Sequence, residues 1–193
     1  MQVQEAFWAT IKTSEKMKLF LIGYMGAGKT TVGRLLAEKI NYSFIDVDCF
    51  IENRYRQTIA EIFEEKGEAG FREIEHRVLL EISSYEKVVV STGGGLPCFF
   101  DNMELMNQMG ITIYLKNNRN ELIKRLISKN QKRPLIKGKT PEELRIFIET
   151  SLNEREPFYN RARFIFEVKS CSTKQEMNQW VEELRIQLAD EIG

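Results

Sequence analysis

The segment Gly23-Tyr-Met-Gly-Ala-Gly28-Lys29-Thr30 constrains this chain more than any other feature. It has the spacing G-x-x-x-x-G-K-[ST]. The apolar run Lys18–Ile22 (KLFLI) precedes it, and Val32, Leu35, Leu36 and Ile40 follow at helical spacing. Glycines admit backbone angles closed to other residues, so successive N–H groups can converge on phosphate oxygens. The helix behind the loop aims the positive end of its dipole at the same point. This strand–loop–helix context predicts a nucleotide-phosphate site. Its expected residues are Gly26, Ala27, Gly28, Lys29, Thr30 and Thr31, with Lys29 reaching the β- and γ-phosphates of ATP and Thr30 offering its hydroxyl to Mg²⁺.

Strand and helix signals alternate along the rest of the chain. Ser43–Val47 reads as a second strand. Two helical stretches follow, one opened by the capping-box pattern Thr58-Ile-Ala-Glu61 and one over about Glu68–Ser84. Lys87–Ser91 (KVVVS) is β-branched and closed by Thr92 and three glycines, hence a strand. Asp101 is placed to cap the next helix, which stops at Gly110. Ile111–Leu115 is a strand and Arg119–Ser128 a helix. Lys129–Lys139 is basic and holds Pro134 and Gly138, so it reads as a mobile loop. Thr140-Pro-Glu-Glu143 restarts a helix. Arg163–Val168 is the last strand and about Thr173–Ala189 the last helix. The alternation predicts an α/β fold with a parallel sheet covered on both faces.

Composition removes several function classes. Lys plus Arg and Asp plus Glu number 28 each, without the basic excess of a nucleic-acid binder. No apolar run approaches the roughly 20 residues of a membrane-spanning helix. The opening MQVQEAFWATIKTSEK lacks a continuous apolar core, so a secretory signal is not expected there. It reads as an extension ahead of a domain starting near Lys18, with Met17 a candidate start, or as a short amphipathic or disordered lead-in. Cys49, Cys98 and Cys171 are far apart and His76 is the single histidine, which argues against a zinc site or a disulfide framework. Reduced thiols in a cytoplasmic protein are expected. His76 is expected to be exposed on its helix, Cys49 to be a small buried residue, and Tyr24 and Met25 to pack. Adenine contacts are poorly marked, with the stretch around Arg125 and the segment after Val168 as candidates.

Asp46-Val-Asp48 ends the second predicted strand, where the carboxyl ends of parallel strands face the ligand crevice. Strand alternation would set both carboxylates on one side, one for Mg²⁺ and one to accept a proton. Taken in order, Gly23–Thr30, Asp46-Val-Asp48, Phe71-Arg72-Glu-Ile-Glu75, Gly93-Gly94-Gly95, Arg133-Pro134-Leu135 and Arg155-Glu-Pro-Phe-Tyr159 resemble the shikimate kinase family from about Lys18 to Val168. The resemblance implies a P-loop, nucleoside-monophosphate-kinase-like fold with a five-stranded parallel sheet and a mobile lid. It implies an N-terminal extension over 1–17 and one kinase domain over 18–193, with the substrate region at about 47–75 and the lid at about 129–139. It also implies ATP and shikimate as partners, Mg²⁺ as cofactor, a monomeric chain, and neither nucleic acid nor membrane. Asp46, with Thr30, is assigned to the metal, and Asp48 to the acceptor hydroxyl as hydrogen-bond partner and base. Arg72, Arg155 and Gly93, Gly94 and Gly95 are assigned to the substrate. Lys29 and Arg133 are assigned to the transferred phosphoryl group, Arg133 from the lid. The product is shikimate 3-phosphate, on the route to aromatic amino acids.

Simpler roles compete with these. Arg72 could be a surface helix charge paired with Glu75 or His76, Arg155 a partner of a neighbouring acid, and the glycines a plain tight turn. A gluconate kinase would keep the loop and a lid arginine without Arg72, Gly93–Gly95 and Arg155 together. A non-catalytic nucleotide-binding module would be expected to lose Lys29, an acid or the lid arginine.

Overall fold

The computed structural model describes residues 17–128, 138–169 and 173–189. Five parallel strands form one sheet: β1 (Lys18–Ile22), β2 (Ser43–Asp46), β3 (Val88–Ser91), β4 (Ile111–Asn117) and β5 (Phe164–Val168), in the order β2-β3-β1-β4-β5. The order explains the apolar sequence of β1. It lies at the centre, pairing with β3 and β4, and Leu19, Phe20, Leu21 and Ile22 are each 0% exposed. Each such side chain contributes about 1.5–3 kcal/mol through burial.

The helices between the strands are α1 (Lys29–Ile40), α2 (Val47–Tyr55), α3 (Ile59–Ile82), α4 (Asn102–Met109), α5 (Arg119–Ser128), α6 (Pro141–Tyr159) and α7 (Lys174–Gln187). The sheet is flanked by α1, which also packs on α7, while α2 packs on α3 and α5 on α6. Capping boxes open α3 (Thr58 with Glu61), α6 (Thr140 with Glu143) and α7 (Thr173 with Glu176). Each N-cap is worth about 1 kcal/mol.

The two expected helical stretches are both present within α3, and what separates them is Gly67. Its backbone sits at φ 66, ψ −177, which breaks the helical path within α3 and lets the chain restart at Glu68. The strand expected over Ser43–Val47 ends at Asp46, and α2 starts at once. Asp46 and Asp48 therefore do not alternate on one strand. Asp46 is the N-cap of α2 and accepts from the Cys49 amide, while Asp48 lies in the first turn of that helix. Asp101 precedes α4 at the cap position but makes no side-chain cap hydrogen bond.

The connection leaving β1 runs to β2 at one edge, and that leaving β3 crosses to β4 on the other side of β1. Adjacent strands whose connections part in this way open a crevice at their carboxyl ends. The loops after β1 and β3 are the phosphate loop and the triple-glycine turn.

Candidate active site

The phosphate loop leaves β1 at Gly23. Gly26 and Gly28 adopt φ of 80 and 94, the left-handed region that favours glycine, and this curls the amides inward. Tyr24 and Met25 pack inward as expected, and the Tyr24 hydroxyl shares a 2.7 Å hydrogen bond with Ser151 on α6. The Lys29 ammonium is buried and donates to the carbonyls of Gly23 and Tyr24 at 2.8 and 2.9 Å, so it is held at the inner rim of the loop. One residue on, Thr30 Oγ1 donates to Asp46 Oδ2 at 2.7 Å. A hydroxyl from the first turn of α1 and a carboxylate from the end of β2, two strands from β1 in the sheet, thus meet at the N-terminus of α1. These are hard oxygen donors, the set that suits Mg²⁺, which commonly takes one or two protein ligands and fills its shell with water and phosphate oxygens. No group of three or more His, Cys, Asp or Glu side chains able to hold a metal occurs among the described residues, and a site of this kind does not require one.

Across the crevice, Gly93, Gly94 and Gly95 follow β3. A Cβ on Gly93 would stand 2.5 Å from Glu75 Oε1 and 3.1 Å from Asp48 Oδ1. One on Gly95 would stand 2.5–2.7 Å from three guanidinium atoms of Arg72. One on Gly94 would meet the Met25 amide of the phosphate loop at 3.3 Å. The turn is more than a tight connection, because it carries side chains from α2 and α3 against it and lies on the phosphate loop. The Tyr159 hydroxyl, at the end of α6, donates to the Gly94 carbonyl and fixes the turn from outside.

Arg72 is 4% exposed. Its Nη1 donates to Glu75 Oε2 at 2.6 Å and its Nη2 to Glu68 Oε1 at 2.7 Å. The guanidinium carbon lies 4.4 Å from the Phe99 ring centroid, with Phe71 at 5.3 Å and Phe63 at 5.9 Å. Arg155, on α6, lies 5.7 Å from the centroid of Tyr24, and its charge acts on the Tyr159 phenol against the rise that burial causes.

Burial pushes the Glu75 carboxyl up to about 7, against the opposing pull of Arg72, and the Asp48 charge adds to the rise. Burial alone would lower the Arg72 guanidinium, but Glu75 and Glu68 outweigh it and raise it. Burial holds the Tyr159 phenol well above its ordinary value and the Cys98 thiol at about 11. Cys49 is exposed, contrary to expectation, and its thiol is raised by partial burial and by Asp46, Glu52 and Asp48. That disfavours a reactive thiolate beside the acids.

The model for the family described as shikimate kinase matches residues 25–185. A shikimate kinase of Azobacteroides pseudotrichonymphae is 54% identical over 168 residues, 86% of this chain and 96% of that protein. One of Parabacteroides distasonis is 51% identical over 161 residues, 83% of this chain and 93% of that protein. The chain belongs to the shikimate kinase family. The crystal structure of shikimate kinase from Bacteroides thetaiotaomicron superposes with a TM-score of 0.86 at 46% identity, covering 90% of this chain and 98% of that one. Shikimate kinase from Acinetobacter baumannii in complex with shikimate gives 0.80 at 33%, covering 96% and 99%. A gluconokinase from Sinorhizobium meliloti reaches only 0.56 at 17% identity over 91% and 97% of the two chains, a likeness of fold alone. As a member of the shikimate kinase family the chain is an ATP-dependent kinase with an alcohol acceptor. It turns ATP and shikimate into ADP and shikimate 3-phosphate in aromatic amino-acid biosynthesis.

Within this shikimate kinase fold, Asp48, Arg72 and Gly93–Gly95 meet at one turn, and Thr30 meets Asp46. Arg155 reaches the turn's support through Tyr159 and Tyr24. Arg133 lies outside the described residues, as does most of the expected lid. Arg72 is paired with Glu75, as the simpler reading held, yet it is buried rather than a surface charge. His76 is half-buried, bonds Asn102 through Nδ1 at 2.7 Å and stacks on Phe100, so it is structural rather than exposed. Sequence reasoning gave Glu75 only a surface pairing with Arg72, and gave no role to Glu68, Tyr159 or Phe99. The helical spacings Glu68–Arg72 and Arg72–Glu75 were available signals. Nothing local marks Phe99 or Tyr159. No helix of the described residues is long and apolar enough to cross a membrane.

Proposed function

We propose that the shikimate kinase reaction is carried here by Asp48, Lys29, Arg72 and Arg155 around the triple-glycine turn. The supporting observation is that Gly93 abuts Asp48, Gly95 abuts Arg72, and Gly94 abuts the phosphate loop. One turn therefore links a carboxylate base, a carboxylate anchor and the phosphate cradle. Arg72 and Arg155 bind the substrate carboxylate through charge-assisted hydrogen bonds. Asp48 takes the proton from the 3-hydroxyl, whose oxygen then forms the bond to the γ-phosphorus as the bond to the β-phosphate oxygen breaks. Lys29 turns from the Gly23 and Tyr24 carbonyls to the phosphates, and the loop amides of Gly26–Thr31 hold the charge that builds on them. Thr30 and Asp46 would hold Mg²⁺, which supplies positive charge to the phosphate oxygens. Arg133 joins the phosphates in the reading from its motif. Residues 18–193 act as one kinase domain, in the cytoplasm, with the substrate region at about 47–75.

The test is ADP release with and without shikimate, in the parent and in Asp48→Asn. Shikimate-dependent release is expected in the parent. Asp48→Asn should lose about 10²–10⁴-fold in turnover while still binding Mg·ATP. Turnover near that of the parent would remove Asp48 as the base.

A further inference from the structure

The two carboxylates on Arg72 are not equivalent. Glu75 is 1% exposed and has no route to water, whereas Glu68 is 50% exposed and can turn outward with its charge hydrated. Glu68 opens the helical segment that restarts after Gly67, and a Cβ on Gly67 would meet nothing within 4 Å. The space beside Glu68 is therefore open. The guanidinium itself has little freedom, with Gly95 and Phe99 against it and Glu75 bonded to Nη1. An incoming anion must reach Arg72 at the edge that Glu68 now occupies. If Glu68 stayed, that anion would add a third carboxylate beside one buried arginine, and like charges at short range repel.

We propose that Glu68 is an internal competitor of the substrate carboxylate. It pairs with Nη2 of Arg72 and orients it while the site is empty, and the carboxylate of shikimate displaces it on binding. This rests on the reading that Arg72 binds that carboxylate. Glu68 is then a positioning residue whose removal strengthens substrate binding, the opposite of what a supporting residue would do.

The experiment is calorimetric titration of shikimate into the full-length parent, Glu68→Gln, Glu68→Asp and Arg72→Lys, with a melting curve for each to establish that it is folded. Gln removes the competing charge. Asp keeps the charge but is one methylene too short to bridge to Nη2, so it separates contact from long-range electrostatics. Both variants should lower the dissociation constant for shikimate by about three- to tenfold, the scale of a half-exposed ion pair with one buried partner. An unchanged or raised constant in either Glu68 variant overturns the displacement. Arg72→Lys keeps the failures apart. If it leaves shikimate binding unchanged, the carboxylate assignment itself is wrong. If it weakens binding while the Glu68 variants do not strengthen it, only the displacement is wrong.

Discussion

Gly95→Ala should uncouple the substrate half of the site from the phosphate half without unfolding the protein. Gly95 sits at φ −93, ψ −25, angles open to alanine, so the backbone is not strained. The effect comes from the methyl group, which would stand 2.5 Å from Arg72 Nη1, 2.6 Å from its Cζ and 2.7 Å from Nη2. Ordinary contacts begin near 3.4 Å, so the guanidinium must retreat by close to an ångström. It cannot do so freely, because its bonds to Glu75 and Glu68 are 2.6 and 2.7 Å long and Phe99 packs on it. Overpacking of a filled site costs about 1–3 kcal/mol. Weakening a charge-assisted hydrogen bond falls in the same range. If that energy is lost mainly from substrate binding, the dissociation constant for shikimate rises by about 5- to 150-fold. The ATP constant should stay within a few-fold, because Gly94, not Gly95, touches the phosphate loop. Titration of both ligands into Gly95→Ala, Arg72→Ala and the double variant decides the matter. In the Arg72→Ala background the methyl has nothing to strike, so the two effects must be strongly non-additive. Additive effects, or a normal shikimate constant in Gly95→Ala, would refute the claim that this glycine exists to admit Arg72.

Two further outcomes follow from burial and packing. The Glu75 carboxyl is held at about 7 in the folded chain against an ordinary 4.5, so the folded state retains a proton that the unfolded state releases first. Its contribution to stability is complete below about 4.5 and declines as pH rises to about 7, by roughly 3 kcal/mol in all. Urea unfolding across that interval should show this slope in the parent and a flatter one in Glu75→Gln; equal slopes would rule out Glu75 as its source. Gly110→Ala would place a methyl 2.2 Å from the Lys18 carbonyl oxygen and 2.9 Å from its carbon, backbone atoms of β1 that have no room to yield. A loss of about 3 kcal/mol, or roughly 6–12 °C in melting temperature, is expected, and a melting point within 2 °C of the parent would contradict it.

The phosphate half of the site was legible because its chemistry is local. Gly23 to Thr30 fixes a backbone path by residue type alone, and the flanking strand and helix are its context. The sheet was legible for a related reason: β1 and β3 are buried on both faces, so their apolar runs are continuous. Asp46 and Asp48 show where such reasoning stops. Both were identified, but strand alternation was the wrong geometry, because the helix begins between them and Asp46 caps it. A boundary shift of one residue moved Asp48 from the strand to the first turn of α2, where it reaches Gly93 instead of lining up with Asp46.

On the substrate half, what decides a residue's role is where the rest of the chain places it. Glu68 and Glu75 are the same residue type at neighbouring helical positions around Arg72. One is half in water and can be displaced, while the other is sealed and its carboxyl is pushed up to about 7 by burial. Helical spacing identifies both as partners of Arg72 and cannot rank them. The ranking comes from Gly93, whose missing side chain leaves Glu75 facing Asp48, and from Gly67, whose break leaves Glu68 at the open end of a helical segment. Phe99 and Tyr159 act through the same turn, and each lies far in sequence from a residue it steadies: Phe99 lies against Arg72, and Tyr159 bonds the Gly94 carbonyl. The glycines are therefore the informative positions on this side of the crevice. Each records a close approach whose other member appears only when the chain is folded.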